Sequence, residues 1–165
     1  MRPKRISLIC ECEPSLREGL GLMASELARA GELYEKIARV DNPIEFVVAE
    51  KGATLRNGET AIVLWDGQGD GAELATGFAP STHVYAVCPS AEAAGRVADA
   101  CSKGGAAFYG ALLVPNLGKA AVLTRSPRMG FARRQVNEAA DRLLYAARIG
   151  APFDGETARF RTLRR

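Results

Sequence analysis

Polar and charged side chains follow the first apolar run of the chain, and their types suit the binding of ions. The run is Ile6–Cys10, and Ser15 and Arg17 come soon after it. A hydroxyl, a guanidinium and the free N–H groups of a helix start can together hold an anion such as a phosphate. Glu11 and Glu13 stand in the same segment and oppose a phosphate dianion at close range. The segment therefore predicts a charged ligand loop in which two carboxylates work against anion binding.

Two further polar segments follow apolar runs later in the chain. Asp66 comes directly after the run Ala61–Trp65, and Ser90 follows Val84–Cys88 at the position of a helix N-cap. In a doubly wound parallel sheet, ligands bind outside the carboxyl ends of the strands where the strand order reverses. The sequence therefore predicts a site formed by three loops: Glu11–Leu16, Asp66–Gly71 and Cys88–Ala91.

Short apolar runs alternate with segments of helical period along the chain. The predicted strands are Ile6–Cys10, Glu45–Ala49, Ala61–Trp65, Val84–Cys88 and Ala107–Val114. The predicted helices are one from about Leu16 that ends at Gly31, one over Glu92 to Lys103, and one over Phe131 to Arg148. This alternation predicts an α/β fold: a three-layer, doubly wound, five-stranded parallel sheet with helices on both faces. We expect a single domain over residues 1–165, with a basic C-terminal tail at about residues 153–165.

The composition is that of an ordinary globular protein. Hydrophobic residues make up 47% and charged residues 25% of the 165 residues, and no apolar run approaches the ~18 residues needed to cross a bilayer. Glu11 and Glu13 interrupt the first apolar stretch too early for a secretory signal. The four cysteines include no Cys-x-x-Cys pair, so reduced thiols are expected. These observations predict a cytoplasmic protein without a membrane partner.

Positive charge is concentrated in the last third of the chain. From Asn116 onward there are eleven Lys/Arg and four Asp/Glu, a balance of +7, although the whole chain carries only +3. The arginines are spread over a loop, a helix and the tail without interleaved aromatic residues. That pattern favours a solvated basic face over a nucleic-acid partner.

The order of elements from Val84 to Pro152 resembles the C-terminal half of the flavodoxin-like NAD(P)H-dependent FMN reductases. The strand Phe108–Val114, a glycine-containing loop and the final helix from Met129 carry the likeness. The resemblance implies a flavodoxin-like fold, an FMN cofactor, a nicotinamide nucleotide as electron donor, and no metal. It places the phosphate and the flavin ring against the following residues: Pro14, Ser15, Leu16, Arg17, Trp65, Asp66, Gly67, Cys88, Pro89 and Ser90. Catalytic residues are not identified, and the sequence does not decide between a monomer and a homodimer.

The opening segment Leu8–Leu20 resembles a second family, the response-regulator receiver domains. In that family acidic residues after the first strand hold Mg²⁺, and an aspartate at the end of the third strand accepts a phosphoryl group. Glu11 and Glu13 match the first feature, and Asp66 matches the second. The resemblance implies a non-enzymatic signalling or interaction module on the same fold, and it stands as the alternative.

Overall fold

In the computed structural model of the chain, the described residues include six parallel strands that form one sheet. The structure describes residues 4–11, 27–33, 36, 44–49, 60–65, 67, 80–116 and 132–161. The strands are β1 Lys4–Glu11, β2 Ile44–Ala49, β3 Thr60–Trp65, β4 His83–Cys88, β5 Ala107–Leu113 and β6 Phe153–Thr157. Their order across the sheet is β2-β1-β3-β4-β5-β6, and every neighbouring pair is parallel. The protein is therefore an α/β protein with a parallel sheet, as the alternation of patterns predicts.

The five predicted strands are confirmed within one or two residues at each end, but the count of five is wrong. The sixth strand, β6, lies in the segment that the sequence predicts to be a basic tail. Only Phe153 in β6 is an apolar residue of the kind that marks a strand, and it is buried. Beyond β6, Ala158 donates its backbone N–H to the Leu113 carbonyl at 2.9 Å, and the described chain continues to residue 161.

Among the described residues, three helical segments accompany the sheet: α1, residues 27–33; α2, Ala91–Gly104; and α3, Arg134–Ile149. The last two match their predicted ranges closely. The predicted end of the first helix at Gly31 is wrong, because residues 32 and 33 are still helical; a glycine inside a helix costs only about 1 kcal/mol and does not have to end it. None of the helices in the described ranges is long and apolar enough to span a membrane.

The helices cover both faces of the sheet, because β3 and β4 are buried on both sides. Ala61, Val63 and Trp65 of β3 point to the face covered by α2, in a cluster that contains Val97 and Cys101. The alternate residues of β3 and β4 point to the opposite face, where α1 and α3 cover them. That second cluster includes Ile62, Leu64, Tyr85, Val87, Leu27, Leu143 and Leu144. Strands that are buried on both faces are apolar along their whole length, as these two are.

The helices that follow β4 and precede β6 lie on opposite faces of the sheet. The steps from β4 to β5 and from β5 to β6 run in the same direction across the sheet. Even so, α2 belongs to the cluster on one face and α3 to the cluster on the other.

β5 contains a bulge where it pairs with β4. Val84 pairs with Phe108 and Tyr85 pairs with Gly110, so Tyr109 is the extra residue. Gly110 has a φ of +128°, and a Cβ there would lie 1.8 Å from the carbonyl oxygen of Phe153 in β6. Only glycine combines this conformation with so close an approach. The pairing of β6 with β5 therefore depends on the missing side chain of Gly110.

We expect Gly110→Ala to lower the free energy of unfolding by at least about 2 kcal/mol, because the added methyl group meets backbone and the positive φ is strained for any side chain. Gly95→Ala is the matched control, since a Cβ at Gly95 meets nothing within 4 Å. Gly95 lies inside α2, where alanine should stabilise the protein by about 0.5–1 kcal/mol. Chemical denaturation measures both changes, and equal effects of the two substitutions would contradict this account of Gly110.

The end of α3 is fastened to the sheet by Tyr85. The Tyr85 hydroxyl lies 2.7 Å from the carbonyl oxygen of Ala151 and 3.2 Å from that of Ala146. Tyr109 meets the Tyr85 ring edge to face at a centroid distance of 5.7 Å, and stacks on His83 at 4.3 Å. Burial, and to a lesser extent the neighbouring Tyr109, raises the pKa of Tyr85 from 10.0 to about 12.

Tyr85→Phe should lower the free energy of unfolding by about 1–2 kcal/mol at neutral pH, because the carbonyl groups at the end of α3 lose a donor. The loss should shrink at alkaline pH. The unfolded chain releases the Tyr85 proton from pH 10 upward, whereas the folded protein keeps it until about pH 12, so the hydroxyl's stabilising contribution is complete below pH 10 and declines between pH 10 and 12. Denaturation curves of both proteins across that range test this; a difference that is constant with pH would contradict it.

Candidate functional site

The carboxyl ends of the strands meet at one edge of the sheet, and the strand order reverses there between β1 and β3. The chain leaves β1 toward β2 on one side and later returns past β1 to β3 on the other. Glu11, the last residue of β1, is in register with Trp65, the last residue of β3. Two of the three predicted loops therefore begin side by side at the position where parallel sheets bind their ligands.

The loop that follows β3 begins against the start of α2. Gly67 has a φ of +82°, and a Cβ at this position would lie 3.4 Å from Cγ of Pro89 and 3.5 Å from Cβ of Ala93. This contact brings the second predicted loop against the third, Cys88–Ala91. The left-handed backbone at Gly67 turns the chain at the end of β3, a conformation that glycine adopts at little cost.

Trp65 is enclosed between the sheet and α2. Its side chain is only 2% exposed, and it belongs to the cluster under α2. The guanidinium carbon of Arg96 lies 4.8 Å from the centroid of its ring, in a cation–π contact. Nη1 of Arg96 also donates a hydrogen bond to the Gly67 carbonyl at 3.2 Å. Trp65 therefore contributes to this edge as packed support, with Arg96 against its ring.

Cys88 ends β4 as a buried thiol. Its Sγ lies 3.6 Å from the carbonyl oxygen of Ser90. Burial raises the pKa of Cys88 from 9.0 to about 11, although the hydrogen bond to the backbone of Ser90 lowers it in part. Cys101, on α2, has its pKa raised by burial to about 12. Both groups are neutral thiols at physiological pH, so neither has the thiolate character of a reactive cysteine.

Ser90 caps the N-terminus of α2. Its Oγ accepts a hydrogen bond from the backbone N–H of Ala93 at 3.1 Å, and its backbone is extended. The carbonyl of Ser90 accepts the first helical hydrogen bond, from Ala94, at 3.1 Å. Pro89 and Ser90 together fix how α2 leaves the sheet, so Ser90 has a structural function whether or not a ligand is present.

Asn116 joins the chain after β5 to the chain after β6, at the same edge of the sheet. Its Nδ2 donates to the Phe160 carbonyl at 2.6 Å, and its Oδ1 accepts from the Phe160 N–H at 3.0 Å. The side-chain amide thus acts as a strand partner for the chain beyond β6. Arg161 continues the attachment by donating its N–H to the Ala132 carbonyl at 3.0 Å. The segment predicted to be a tail is therefore tied down along the carboxyl edge as far as residue 161.

The structure brings together five of the ten predicted site residues: Trp65, Gly67, Cys88, Pro89 and Ser90. The other five lie outside the described residues: Pro14, Ser15, Leu16, Arg17 and Asp66. In the described parts of the chain, no group of three or more His, Cys, Asp or Glu is placed to hold a metal ion. Arg96 is absent from the prediction, although its position three residues after Ala93 and one before Val97 places it beside the buried stripe of α2. That helical spacing is the signal that could have identified it.

No protein-family model and no curated protein matches this chain at a significant level. The functional reading therefore depends on the geometry of the carboxyl edge.

Ser90→Ala should lower the free energy of unfolding by about 1 kcal/mol, because the N–H of Ala93 loses its acceptor, and Ser90→Asp should restore most of it. Ser102→Ala is the matched control, since Ser102 is exposed inside the same helix. There alanine should be neutral or stabilising by a few tenths of a kcal/mol, about the propensity difference. Thermal denaturation monitored by circular dichroism gives the comparison, and an unchanged stability in Ser90→Ala would contradict the capping role.

Proposed function

We propose that this chain is a flavodoxin-like protein that binds FMN at the carboxyl edge of its sheet and works as an NAD(P)H-dependent oxidoreductase. The observation that carries the proposal is the reversal of strand order between β1 and β3. The first five strands have the order 2-1-3-4-5, which is the order of flavodoxin-like sheets that bind FMN at this switch point. The resemblance of residues 84–152 to the FMN reductases supports the same ligand.

The described residues fit one side of such a ligand. Gly67 and Pro89 bring two loop starts into contact beside the switch point, with backbone and a proline ring rather than charge. A planar ring system binds best to walls of this apolar kind with a few placed polar groups. The buried Trp65 supports this apolar surface from the side of the core. The residues that the resemblance assigns to the phosphate, including Ser15 and Arg17, lie outside the described residues.

FMN, when bound, supplies the acceptor for two electrons from a nicotinamide nucleotide. The chain's own residues position the loops that border the proposed ligand. The Ser90 cap fixes the start of α2. Pro89 and Ala93 limit how closely Gly67 approaches this helix start. Arg96 donates a hydrogen bond to the Gly67 carbonyl. The neutral Cys88 thiol stays buried beneath this edge and offers no nucleophile to the ligand.

A receiver-like module is the second candidate, and one observation favours it. Glu11 is in register with Trp65, the residue immediately before Asp66. An acid at the end of β1 and an aspartate directly after β3 in sequence would supply the carboxylate oxygens that Mg²⁺ takes as ligands. We prefer the flavin reading because its resemblance covers β4, α2, β5 and α3, whereas the receiver resemblance ends before α3.

The double substitution Glu11→Gln with Glu13→Ser separates the two candidates. Removing two carboxylates near a flavin phosphate should tighten FMN binding about fivefold, on the order of 1 kcal/mol for charges several Å away in partly solvated surroundings. A receiver would instead lose Mg²⁺-dependent phosphorylation of Asp66 by acetyl phosphate, because the metal loses its ligands. Quenching of FMN fluorescence measures the first effect, and the intact mass measures the second.

The control is Asp99→Asn with Asp154→Asn, which removes the same charge from two exposed positions on α2 and β6. Its FMN affinity should equal that of the wild type. If neither the wild type nor the Glu11/Glu13 variant binds FMN, the flavin proposal is wrong. A wild type that accepts a phosphoryl group on Asp66 and ignores FMN would establish the second candidate instead.

A further inference from the structure

We infer that Arg96 is a positioning residue for the ligand-binding edge. Its guanidinium fixes the carbonyl of Gly67, and with it the start of the loop that follows β3. The inference rests on the proposed function in one respect only, namely that this loop borders the ligand.

The Arg96 side chain meets the end of β3 at two points. Its Cζ lies 4.8 Å from the centroid of the Trp65 ring, and its Nη1 lies 3.2 Å from the Gly67 carbonyl oxygen. These contacts bracket position 66 in the sequence. A guanidinium can make both at once, because it stacks through its flat face while its N–H groups point outward in the plane. An ammonium group has no such plane.

The helical backbone that carries Arg96 is held in place by packing and by a cap. The direction from which the guanidinium reaches Gly67 is therefore fixed. Arg96 lies on α2 next to Val97, which is fully buried in the core. The start of the same helix is fixed by the Ser90 cap, and a Cβ at Gly67 would lie 3.5 Å from Cβ of Ala93. The guanidinium is therefore placed by the helix and the sheet, and the loop start adopts the position that the guanidinium sets.

Two substitutions separate this role from simple packing. Arg96→Met keeps an apolar stem that can cover the Trp65 ring but removes the donor to Gly67. Arg96→Lys keeps a positive charge and a donor but loses the planar group. If Arg96 served only to cover the indole, methionine would replace it well. If it positions the Gly67 carbonyl, lysine should rescue in part and methionine should not.

Lys103→Met is the matched control. Lys103 is an exposed residue in the last turn of α2, at the far end of the helix from Ser90. The Lys103→Met substitution removes one positive charge from the same helix without changing a residue at the carboxyl edge. The readouts are hydrogen–deuterium exchange of peptides covering residues 66–71, the emission of Trp65, which is the only tryptophan of the chain, and FMN titration, all on the full-length protein.

Amide exchange over residues 66–71 should be about tenfold faster in Arg96→Met, the effect of losing one charge-assisted hydrogen bond. It should be intermediate in Arg96→Lys and unchanged in Lys103→Met. The emission maximum of Trp65 should shift in Arg96→Met and return toward the wild-type value in Arg96→Lys. FMN affinity should fall about tenfold in Arg96→Met if the misplaced loop costs the ligand a comparable contact.

The outcomes distinguish this inference from the proposed function. Unchanged exchange over residues 66–71 in Arg96→Met overturns the role of Arg96, whatever happens with FMN. Equal FMN affinity in the wild type and Arg96→Met overturns the role at the ligand edge and leaves the proposed function standing. If the wild type binds no FMN but the exchange difference is present, the proposed function fails and Arg96 still positions the loop. Should Arg96→Met fail to fold, Arg96→Lys decides by the same measurements.

Discussion

Strands β3 and β4 have no side that faces solvent, and the rest of the structure depends on this constraint. All six residues of β3 are buried, as are the last five of β4. A parallel pair of this kind must be covered on both faces, so α2 is required on one face and α1 and α3 on the other. The carboxyl ends of the strands and the start of α2 then meet at a single edge. The candidate site is a consequence of how the two central strands are covered.

The sequence predicted this central part of the fold well because burial there leaves a clear pattern. Continuous apolar or helical patterns mark three elements there, and each lies where expected: Val84–Cys88, the helix capped by Ser90, and the strand from Ala107. β6 gave no such signal, since Phe153 is followed by Asp154, Gly155 and Glu156 and the strand is buried on few positions. Periodicity detects buried faces, and an edge strand has little to bury.

The candidate site was predictable in position but not in detail. Topology alone assigns the candidate site to the ends of β1, β3 and β4, because the reversal of strand order is a property of the sheet. The contacts that shape this edge depend on packing between elements distant in sequence. The guanidinium of Arg96 reaches Gly67 across 29 positions of the chain, and no local pattern reports such a pair. For Trp65 the residue type alone is misleading. An indole at a strand end suggests stacking on a ligand, whereas Trp65 is buried in the core under α2.

The acidic residues of β6 matter for the behaviour of the protein at high concentration. In the described part of the chain, β6 is the outermost strand on one side of the sheet, and a strand at the edge of a sheet is a template on which a second chain can add. Asp154 is exposed on this strand, and Glu156 engages Arg142 of α3 in an ion pair. A strand added from another copy would have to desolvate these charges. The charges that hide β6 from a hydrophobicity profile therefore also make the pairing of a second chain with this strand more costly.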